Sequence, residues 1–321
     1  MKKLVSKIFT IAILFIAICS IGMAKDQITI SFPTAATTGA LYPLGAAITN
    51  LWTTKIDYVK ASSQASGGGV ENLNLLADGE AQVSIAISSN CYESYTGTGV
   101  FDGYKNEKFR VIGGLYYNPN QIVVAKASGI DSLVKLKGAH FASGAIGSST
   151  EGESKNHFTS AGLKYPDDLK IENIGFAEAV NLMRNKQLDG AWIMAALGNA
   201  AVTEATSTAG ATILNIDDAT IEKLQKSYPW YAKFTIPAGT YSGQDKDIQT
   251  TAIKMVMFTT ADLDEDTVYD LTKVFWENIN TLSESNKGLV GIKAEDAISD
   301  IAELPLHPGA AKYYKEIGVL K

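Results

Sequence analysis

The sequence has little of the chemistry that enzymes and metal sites use most. Its 321 residues include two cysteines and three histidines. His140, His157 and His307 are far apart and lack the i, i+4 spacing of a helical zinc pair, and no serine stands in a Gly-x-Ser-x-Gly nucleophile elbow. We therefore expect no catalytic residue, no metal and no cofactor, and a structural role for each histidine.

Arginine is scarcer still. Arg110 and Arg184 are the only two, and Arg184 lies in a segment with the pattern of a surface helix. A bidentate arginine clamp on a carboxylate is thus not expected. Gly144, Gly147 and Gly152 lack the Gly-Lys-Ser/Thr ending of a phosphate loop, which argues against nucleotide chemistry. An anionic ligand would have to bind backbone amides and hydroxyl groups.

The first 24 residues have the three parts of a secretory signal: a basic start, an apolar run over 8–18 and small residues before a cleavage position. The apolar run is shorter than the roughly 20 residues that span a bilayer. We expect cleavage after Ala24 and export to the periplasm. The alternative is a lipid anchor on Cys19, which the preceding Ile18 disfavours because the lipid-attachment pattern has a small residue there.

Removal of residues 1–24 would leave one cysteine, Cys91. The formal net charge would change from −6 to −9, because three lysines and no acidic residue are lost. One cysteine cannot form an internal disulfide, and no neighbouring Lys, Arg or His lowers its pKa, so a buried, unreactive thiol is favoured over a reactive one. The acidic surface repels nucleic acids and anionic lipids, and neither is an expected partner.

From residue 25 onward, strand and helix patterns alternate. Strands are predicted over 27–32, 55–61, 81–87, 111–115, 122–125, 139–143 and 191–194, and helices over 41–52, 132–136 and 179–188. Alternation of this kind predicts an α/β fold, with a mainly parallel sheet covered by helices on both faces.

Three times a strand pattern runs into a small, hydroxyl-rich loop that opens a helix, at 32–45, 60–73 and 142–154. In an open parallel sheet such loops lie at the carboxyl ends of the strands, where ligands bind. The helix starts there offer unpaired N–H groups and a partial positive charge, which can receive an anion. Gly67 to Gly69 in the second loop would let a ligand approach the backbone closely. The alternative is that these glycines only turn the chain, and the recurrence of the pattern favours binding.

Seven segments, in order, carry a resemblance to one receptor family. They are TTGALYPLG (37–45), ASGGGVENLNLLADGEAQVSIA (65–86), SGIDSLVKLKG (128–138), GAIGSSTE (144–151), GFAEAVNLM (175–183), YPWYAKFTIPAGTYSGQ (228–244) and LPLHPGAAKYY (304–314). On these segments the chain, from about residue 28 to 319, resembles the TAXI class of solute receptors of TRAP (tripartite ATP-independent periplasmic) transporters.

The resemblance implies a two-lobed clamshell of the periplasmic type II binding fold. Such a receptor traps a small organic anion or amino acid, such as a dicarboxylate, a 2-oxoacid or glutamate, and delivers it to a TRAP permease driven by an ion gradient. On this pattern lobe one is 25–122 plus 239–321 and lobe two is 123–238. A long helix near the carboxyl terminus is expected over 264–285, and a monomer is expected.

The resemblance also indicates binding residues, loop by loop. They are Thr38, Gly39 and Tyr42 in the first loop, Ser66, Gly67 and Gly68 in the second, Ser88 and Ser89 after the strand 81–87, and Ser148, Ser149, Thr150 and Glu151 in the fourth. Asn199 is added as a contact that the family lacks, because its loop faces the cleft in the clamshell arrangement. Tyr42 either donates a hydroxyl hydrogen bond or only packs. Ser148 and Glu151 have capping-box spacing, so Glu151 either caps its own helix or contacts a ligand amine.

The chain departs from the TAXI pattern at three places in two loops. Members of that class tend to have two adjacent tyrosines in place of Leu41 and Tyr42, a Gly-Gly pair in place of Thr38 and Gly39, and Ala-Gly-x-Pro-Thr where this chain has Ala-Ala-Leu-Gly-Asn, ending at Asn199. The ligand's identity is therefore open. Two alternative functions are the receptor of an ATP-driven importer of the same fold and an exported enzyme that uses this fold.

Overall fold

The structure, a computed structural model, describes residues 25–35, 37, 41–146 and 148–321. The predicted secretory signal lies outside the described residues, and so do Thr38 and Gly39 of the predicted site. None of the described helices has the length and apolar content that a membrane-spanning segment needs.

Ten strands and ten α-helices alternate along this part of the chain. The strands are β1 (Ile28–Pro33), β2 (Val59–Gln64), β3 (Val83–Ile87), β4 (Phe109–Ala125), β5 (His140–Ala142), β6 (Lys170–Glu172), β7 (Gly190–Met194), β8 (Ala211–Ile213), β9 (Ala232–Ile236) and β10 (Ile248–Thr260). The helices are α1 (Leu41–Lys55), α2 (Gly69–Ala77), α3 (Ser88–Thr96), α4 (Ser149–Ser160), α5 (Phe176–Arg184), α6 (Ala200–Thr208), α7 (Asp218–Ser227), α8 (Glu265–Glu277), α9 (Ile279–Ser285) and α10 (Pro308–Glu316). The short helix predicted over 132–136 is the 3-10 turn Leu133–Leu136.

Two long strands, β4 and β10, run through both halves of the molecule. They pair antiparallel with each other, and β3 and β9 join β10 while β7 and β8 join β4, again antiparallel. The parallel pairs of the described chain are β1–β2, β5–β6 and β5–β7. The α/β class is confirmed, but the sheet is mixed and not mainly parallel. The chain passes from one half to the other and returns, which sets its two crossing strands side by side in opposite directions.

Strand β4 joins two strands that the sequence predicts separately, at 111–115 and 122–125. Asn118 and Pro119 interrupt the apolar pattern between them and favour a turn. In the structure Pro119 instead lies opposite Ala252 of β10, inside the ladder. The pairing partner holds the segment extended, and that partner comes from a distant part of the sequence.

Each half of the molecule has its own apolar core, so the fold has two lobes. In the first lobe, Trp52 and Phe258 belong to one cluster that joins β1–β3 to the surrounding helices. In the second lobe the sheet is covered on both faces. Val123 packs in one cluster, while its neighbours Ile122 and Val124 pack in the other. This is the period-two alternation of a strand that is buried on both sides.

The segment predicted as one long helix over 264–285 forms two helices, α8 and α9. Leu271 and Leu282 are buried, as the apolar spacing predicts. The backbone of Asn278, however, leaves the helical region at φ −120° and ψ 20°. Asn278 Nδ2 donates to the carbonyl of Val274 at 2.8 Å. A side-chain amide bound to the backbone in this way competes with the next helical turn, which ends α8.

Helix α10 packs so closely against α8 that there is no room for a side chain at Gly309. A Cβ on Gly309 would lie 2.1 Å from the carbonyl oxygen of Glu265 and 2.6 Å from the amide nitrogen of Tyr269. Both are backbone atoms, which cannot rotate out of the way. The approach of the two helices therefore requires a glycine at this position.

Gly309→Ala should destabilise the protein by about 1–3 kcal/mol, the usual cost of overpacking. Gly152 in α4 is the matched control, because open space surrounds the position where its Cβ would be. Gly152→Ala should be neutral or stabilising by roughly 0.5–1 kcal/mol, since alanine is the better helix former. Urea denaturation of both variants measures the difference, and equal stabilities would contradict the close approach.

Candidate functional site

A cleft of about 1000 Å³ lies between the two lobes. Its first-lobe lining is Ala35, Leu41, Leu115, Tyr116, Tyr117, Asn118, Ser285, Asn286, Lys287, Gly288, Val290, Gly291, Ile292 and Asp296, and its second-lobe lining is Phe176, Met194, Ala195, Ala196, Leu197, Gly198, Asn199 and Phe234. The loop 195–199, where the chain departs from the TAXI pattern, thus faces the cleft.

The loops that follow β1 and β2 meet the end of β3 at one edge of the first lobe. The Ser66 amide donates to the Ala35 carbonyl at 3.3 Å, which joins the second loop to the first. Asn72, buried in α2, donates through Nδ2 to the carbonyls of Thr34 (2.8 Å) and Ile85 (3.1 Å). One side-chain amide therefore ties together the ends of β1 and β3 next to the cleft.

The glycine-rich loop at 67–69 satisfies its amides within the chain. The Gly67 amide donates to Glu71 Oε2 at 2.7 Å, and the Gly68 amide donates to Ser66 Oγ at 3.1 Å. Ser66 Oγ in turn donates to Asn72 Oδ1 at 2.6 Å. Gly68 has φ +106°, a conformation that favours glycine. These contacts give the loop a turning role, and the Glu71 carboxylate stands where a ligand anion would have to bind.

Helix α3 begins directly where β3 ends, with no loop between Ile87 and Ser88. Ser88 is fully buried, and within the described part of the chain its hydroxyl has no hydrogen-bond partner. Ser89 is also buried. Asn90 Oδ1 accepts from Ser149 Oγ at 3.3 Å. Since Ser149 is the first residue of α4, the starts of two helices from different lobes face each other here.

The start of α4 is held by Ser148 and Asn173. Ser148 Oγ accepts from the amide of Glu151 at 3.2 Å, which caps the helix, and the Ser148 amide donates to the Ala145 carbonyl at 3.0 Å. The Glu151 carboxylate accepts from Asn173 Nδ2 at 3.2 Å. Thr150 is buried in the first turn. The Asn173 contact orients Glu151 toward its own lobe, and the sequence spacing gave no sign of it.

Two residues of the predicted site, Tyr42 and Asn199, are not free in the cleft. Tyr42 lies in a separate depression with Ala46 and Asn50, and Leu41 lines the cleft instead. Asn199 lines the cleft, but its Oδ1 accepts from the Ala201 amide at 2.9 Å and caps α6. Asn199 would have to give up this cap, at least in part, to bind a ligand.

A hydrogen-bond chain holds the loop 195–199 from behind. Gln121 of β4 donates through Nε2 to the Ala195 carbonyl at 2.9 Å. The Tyr241 hydroxyl donates to Gln121 Oε1 at 2.5 Å and accepts from the Gly198 amide at 3.0 Å. Both Gln121 and Tyr241 are buried. The crossing strand therefore sets the position of a cleft wall.

A buried polar group of residues, here called the crossover cluster, lies where β4 and β10 pass between the lobes: Asn120, Glu153, His157, Trp192 and Thr251. Asn120 Nδ2 donates to Thr251 Oγ1 at 3.1 Å and lies 3.5 Å from Glu153 Oε2. Trp192 Nε1 donates to Asn120 Oδ1 at 2.8 Å. Sequence analysis missed this cluster. The available signal was the polar residues inside apolar strands, because buried polar groups need partners.

Protonation in the cluster follows from burial. Burial raises the pKa of Glu153 to about 8, although hydrogen bonds from Tyr231 and Asn120 oppose the rise. Burial lowers the pKa of His157 to about 4. Neutral His157 can donate from Nδ1 to the Glu153 carbonyl, 2.7 Å away, and accept at Nε2 from Thr251 Oγ1, 2.6 Å away. Glu93 of α3 is the other acidic group whose charge acts on Glu153, and burial raises its pKa too.

His140, His307 and Cys91, for which the sequence predicts no catalytic or metal-binding role, have structural contacts. His140 Nε2 lies 2.8 Å from Glu172, and His307 caps α10 by accepting from the Gly309 amide at 3.1 Å. Cys91 is buried, as predicted, and burial raises its thiol pKa. Over the described ranges, no three His, Cys, Asp or Glu side chains are grouped as metal ligands would be.

The structure has the two-lobed fold of periplasmic solute-binding proteins, with a cleft between the lobes. The chain belongs to the NMT1-like family, whose sequence model matches residues 32–318. Its structure is similar to a TctC solute-binding protein from Polaromonas, with a TM-score of 0.53 and 14% identity, over 83% of this chain and 88% of that chain. It is also similar to SsuA, the periplasmic sulfonate-binding protein of a putative sulfonate ABC transporter from Methylobacillus flagellatus KT, with a TM-score of 0.51 and 12% identity, over 92% and 89% of the two chains. At these identities the likeness shows the fold alone, which is the two-lobed clamshell that the sequence predicts.

Glu153→Gln should remove a pH dependence of stability. The folded carboxyl keeps its proton up to about pH 8, whereas the unfolded one ionises near the ordinary pKa of 4.5. Between these values folded Glu153 holds a proton that the unfolded chain releases, so its contribution to stability falls as pH rises, by at most about 1.4 kcal/mol per pH unit. Buried neutral His157 acts in the opposite direction below its ordinary pKa of 6.5. Denaturation at several pH values from 6.5 to about 8 should therefore show a shallower slope for the variant. The exposed Glu178→Gln serves as control, and equal slopes for both variants would contradict the buried neutral carboxyl.

Tyr241→Phe should loosen the cleft wall without disturbing the rest of the fold. The change leaves the Gly198 amide without its acceptor and the buried Gln121 oxygen without its donor, at a cost of about 1–3 kcal/mol. Amide hydrogen exchange should therefore speed up at Gly198. Tyr104→Phe, on a side chain that is 80% exposed, is the control. Unchanged protection of Gly198 would show that the hydroxyl does not hold the loop.

Proposed function

We propose that the protein is the extracytoplasmic solute receptor of a TRAP transporter of the TAXI class. It binds a small organic anion or amino acid between its lobes, closes around it and delivers it to a permease driven by an ion gradient. The observation that carries the proposal is the meeting of two helix starts from different lobes, at Asn90 and Ser149, beside the buried Ser88 hydroxyl. A small anion can bridge such starts only when the lobes are together.

Helix starts suit an anion because their N–H groups are unpaired and carry a partial positive charge. The Ser88 hydroxyl adds a buried donor that a ligand oxygen would satisfy. The two arginines also support an anion site made of helix starts and hydroxyl groups, because both arginines bind other parts of the protein. Arg110 donates to the carbonyls of Glu107 (2.9 Å) and Phe109 (2.7 Å), and Arg184 pairs with Glu204 at 3.0 Å.

We propose that the ligand contacts Ser88, Ser89, Ser149 and Thr150, together with Thr38 and Gly39, which lie outside the described residues. Gly67 would join them only if the Glu71 carboxylate left its amide.

We propose that the hinge lies in β4 and β10, near Asn120 and Thr251. The first lobe boundary is better placed near Asn120 than at 122/123, because Ile122 packs in a second-lobe core. The second is better placed within β10, near residue 250, than at 238/239, because Tyr241 and Ile248 pack in the second-lobe core. Hinge closure between two lobes is the motion that periplasmic binding proteins use. A ligand drives it only by binding the closed form more tightly than the open form.

The partner class is a separate question from ligand binding. The similarity to SsuA, which serves an ABC transporter, keeps the receptor of an ATP-driven importer as the second candidate. Uptake into proteoliposomes that contain the cognate permease separates the two: the TRAP proposal requires an ion gradient and no ATP. Turnover of a bound ligand would favour the exported enzyme instead.

Ser88→Ala should weaken ligand binding without destabilising the free protein. The hydroxyl lacks a partner in the described structure, so its removal costs no internal hydrogen bond. A hydrogen bond to a charged ligand contributes about 1.5–3 kcal/mol, which predicts at least a tenfold loss of affinity. Thermal shift and calorimetry with succinate, 2-oxoglutarate, glutamate and pyruvate measure it. The exposed Ser207→Ala is the control. Stabilisation by a sugar or a metal alone would contradict the anion site.

A further inference from the structure

The lining of the interlobe cleft bears on the chemical class of the ligand, given that the proposed function holds. Four aromatic rings face the cleft, two from each lobe: Tyr116, Tyr117, Phe176 and Phe234. The ring centroids of Tyr117 and Phe234 are 5.7 Å apart, so rings from the two lobes meet at this point. Both side chains are only half-buried. Their free surface can therefore pack against a ligand ring.

The rest of the lining is largely aliphatic. It is made of Leu41, Leu115, Met194, Leu197, Val290 and Ile292 with small residues between them. Val290 is 62% exposed and Leu197 is 37% exposed, at the rim of the cleft. Exposed apolar side chains that line a cavity from both lobes are typical of a site that covers an apolar ligand body.

Charged groups in the described lining are few and nearly balanced. They are the ammonium of Lys287 and the carboxylate of Asp296. A second cation, Lys254, is buried behind the wall. Its Nζ donates to the Asp296 carbonyl at 2.5 Å and lies 4.8 Å from the ring centre of Tyr117. If the helix starts hold one carboxylate, a second would be pressed against apolar side chains, and burying an unpaired charge is costly.

The volume of the cleft also favours a ligand larger than a small dicarboxylate. It keeps about 1000 Å³ although the lobes already touch, at Ser149–Asn90 and where the rings of Tyr92 and Trp230 lie 5.4 Å apart. A four-carbon dicarboxylate fills the volume of roughly four water molecules, each of about 30 Å³. Such a ligand would leave most of the ring-lined volume to water.

We infer that the receptor takes a monocarboxylate with an aromatic or similarly bulky apolar body. The carboxylate binds at the helix starts, and the body packs against the free faces of the rings of Tyr117, Phe176 and Phe234. This inference narrows the range of ligands expected from the sequence, because dicarboxylates and glutamate have no aromatic or bulky apolar body.

Titration calorimetry of the purified protein with pyruvate and phenylpyruvate tests the inference, because these acids differ only by the phenyl ring. Phenylpyruvate should bind at least tenfold more tightly than pyruvate, succinate or glutamate. Phenylacetate and indole-3-acetate extend the panel. 2-Phenylethanol, which has the ring and no carboxylate, should bind weakly.

Substitutions of the cleft aromatics test whether the tighter binding of phenylpyruvate arises in the cleft. Phe176→Leu and Phe234→Leu keep apolar volume and remove a ring, so each should reduce the advantage of phenylpyruvate several-fold while pyruvate affinity stays unchanged. Tyr104→Leu, far from the cleft lining, should leave the advantage intact. Tighter binding of succinate or glutamate, unaffected by the ring variants, would overturn the inference and leave the proposed anion receptor standing. Binding of no acid at all would overturn both.

Discussion

The pairing of β4 with β10 is the constraint on which the rest of the structure depends. These strands carry the chain from one lobe to the other and back, and Asn120 joins them at the crossing. Its carbonyl accepts from Thr250 Oγ1 at 2.5 Å, its Nδ2 donates to Thr251, and its Oδ1 accepts from Trp192. In a low-dielectric interior such a network is strong when complete and costly when broken. It therefore fixes one arrangement of the strands about which the lobes move.

Alternation along β4 connects this crossing to the cleft. Asn120 points into the crossover cluster, and the next residue, Gln121, points to the opposite face, as strand geometry requires. There Gln121 and Tyr241 hold the loop 195–199, which lines the cleft. A twist of the strand at the proposed hinge would act on both faces together. The proposed hinge movement and the position of a cleft wall would thus be coupled through one backbone segment.

Local pattern was enough for β1, β2, β3, β5 and β7 and for the meeting of the loops, because helix starts at the carboxyl ends of strands follow from the α/β alternation. It did not predict β6, β8, β9 or the crossing strand β10. It was insufficient where distant partners decide. The sequence around Pro119 favours a turn, but pairing with β10 holds it in a strand. A single side-chain hydrogen bond from Asn278 ends α8. Leu41 and Tyr42 differ by about 100° around a helix, so the residue that faces the cleft could not be chosen before the helix was oriented. Glu153 lies in a strongly polar helix that looks like a surface helix, yet the crossing strands bury it.

The proposed binding of an anion by an acidic protein raises an electrostatic difficulty, which short-range contacts at the proposed site would resolve. Repulsion from the net negative surface is screened over about 8 Å at physiological ionic strength. The donors at the starts of α3 and α4 act at hydrogen-bond contact, inside the seam between the lobes, where screening is weak. The surface charge would therefore slow the approach of an anion more than it would weaken the proposed closed complex. Selectivity would then depend on two short-range features: the number of oxygens that the helix starts can satisfy and the shape of the ring-lined cleft.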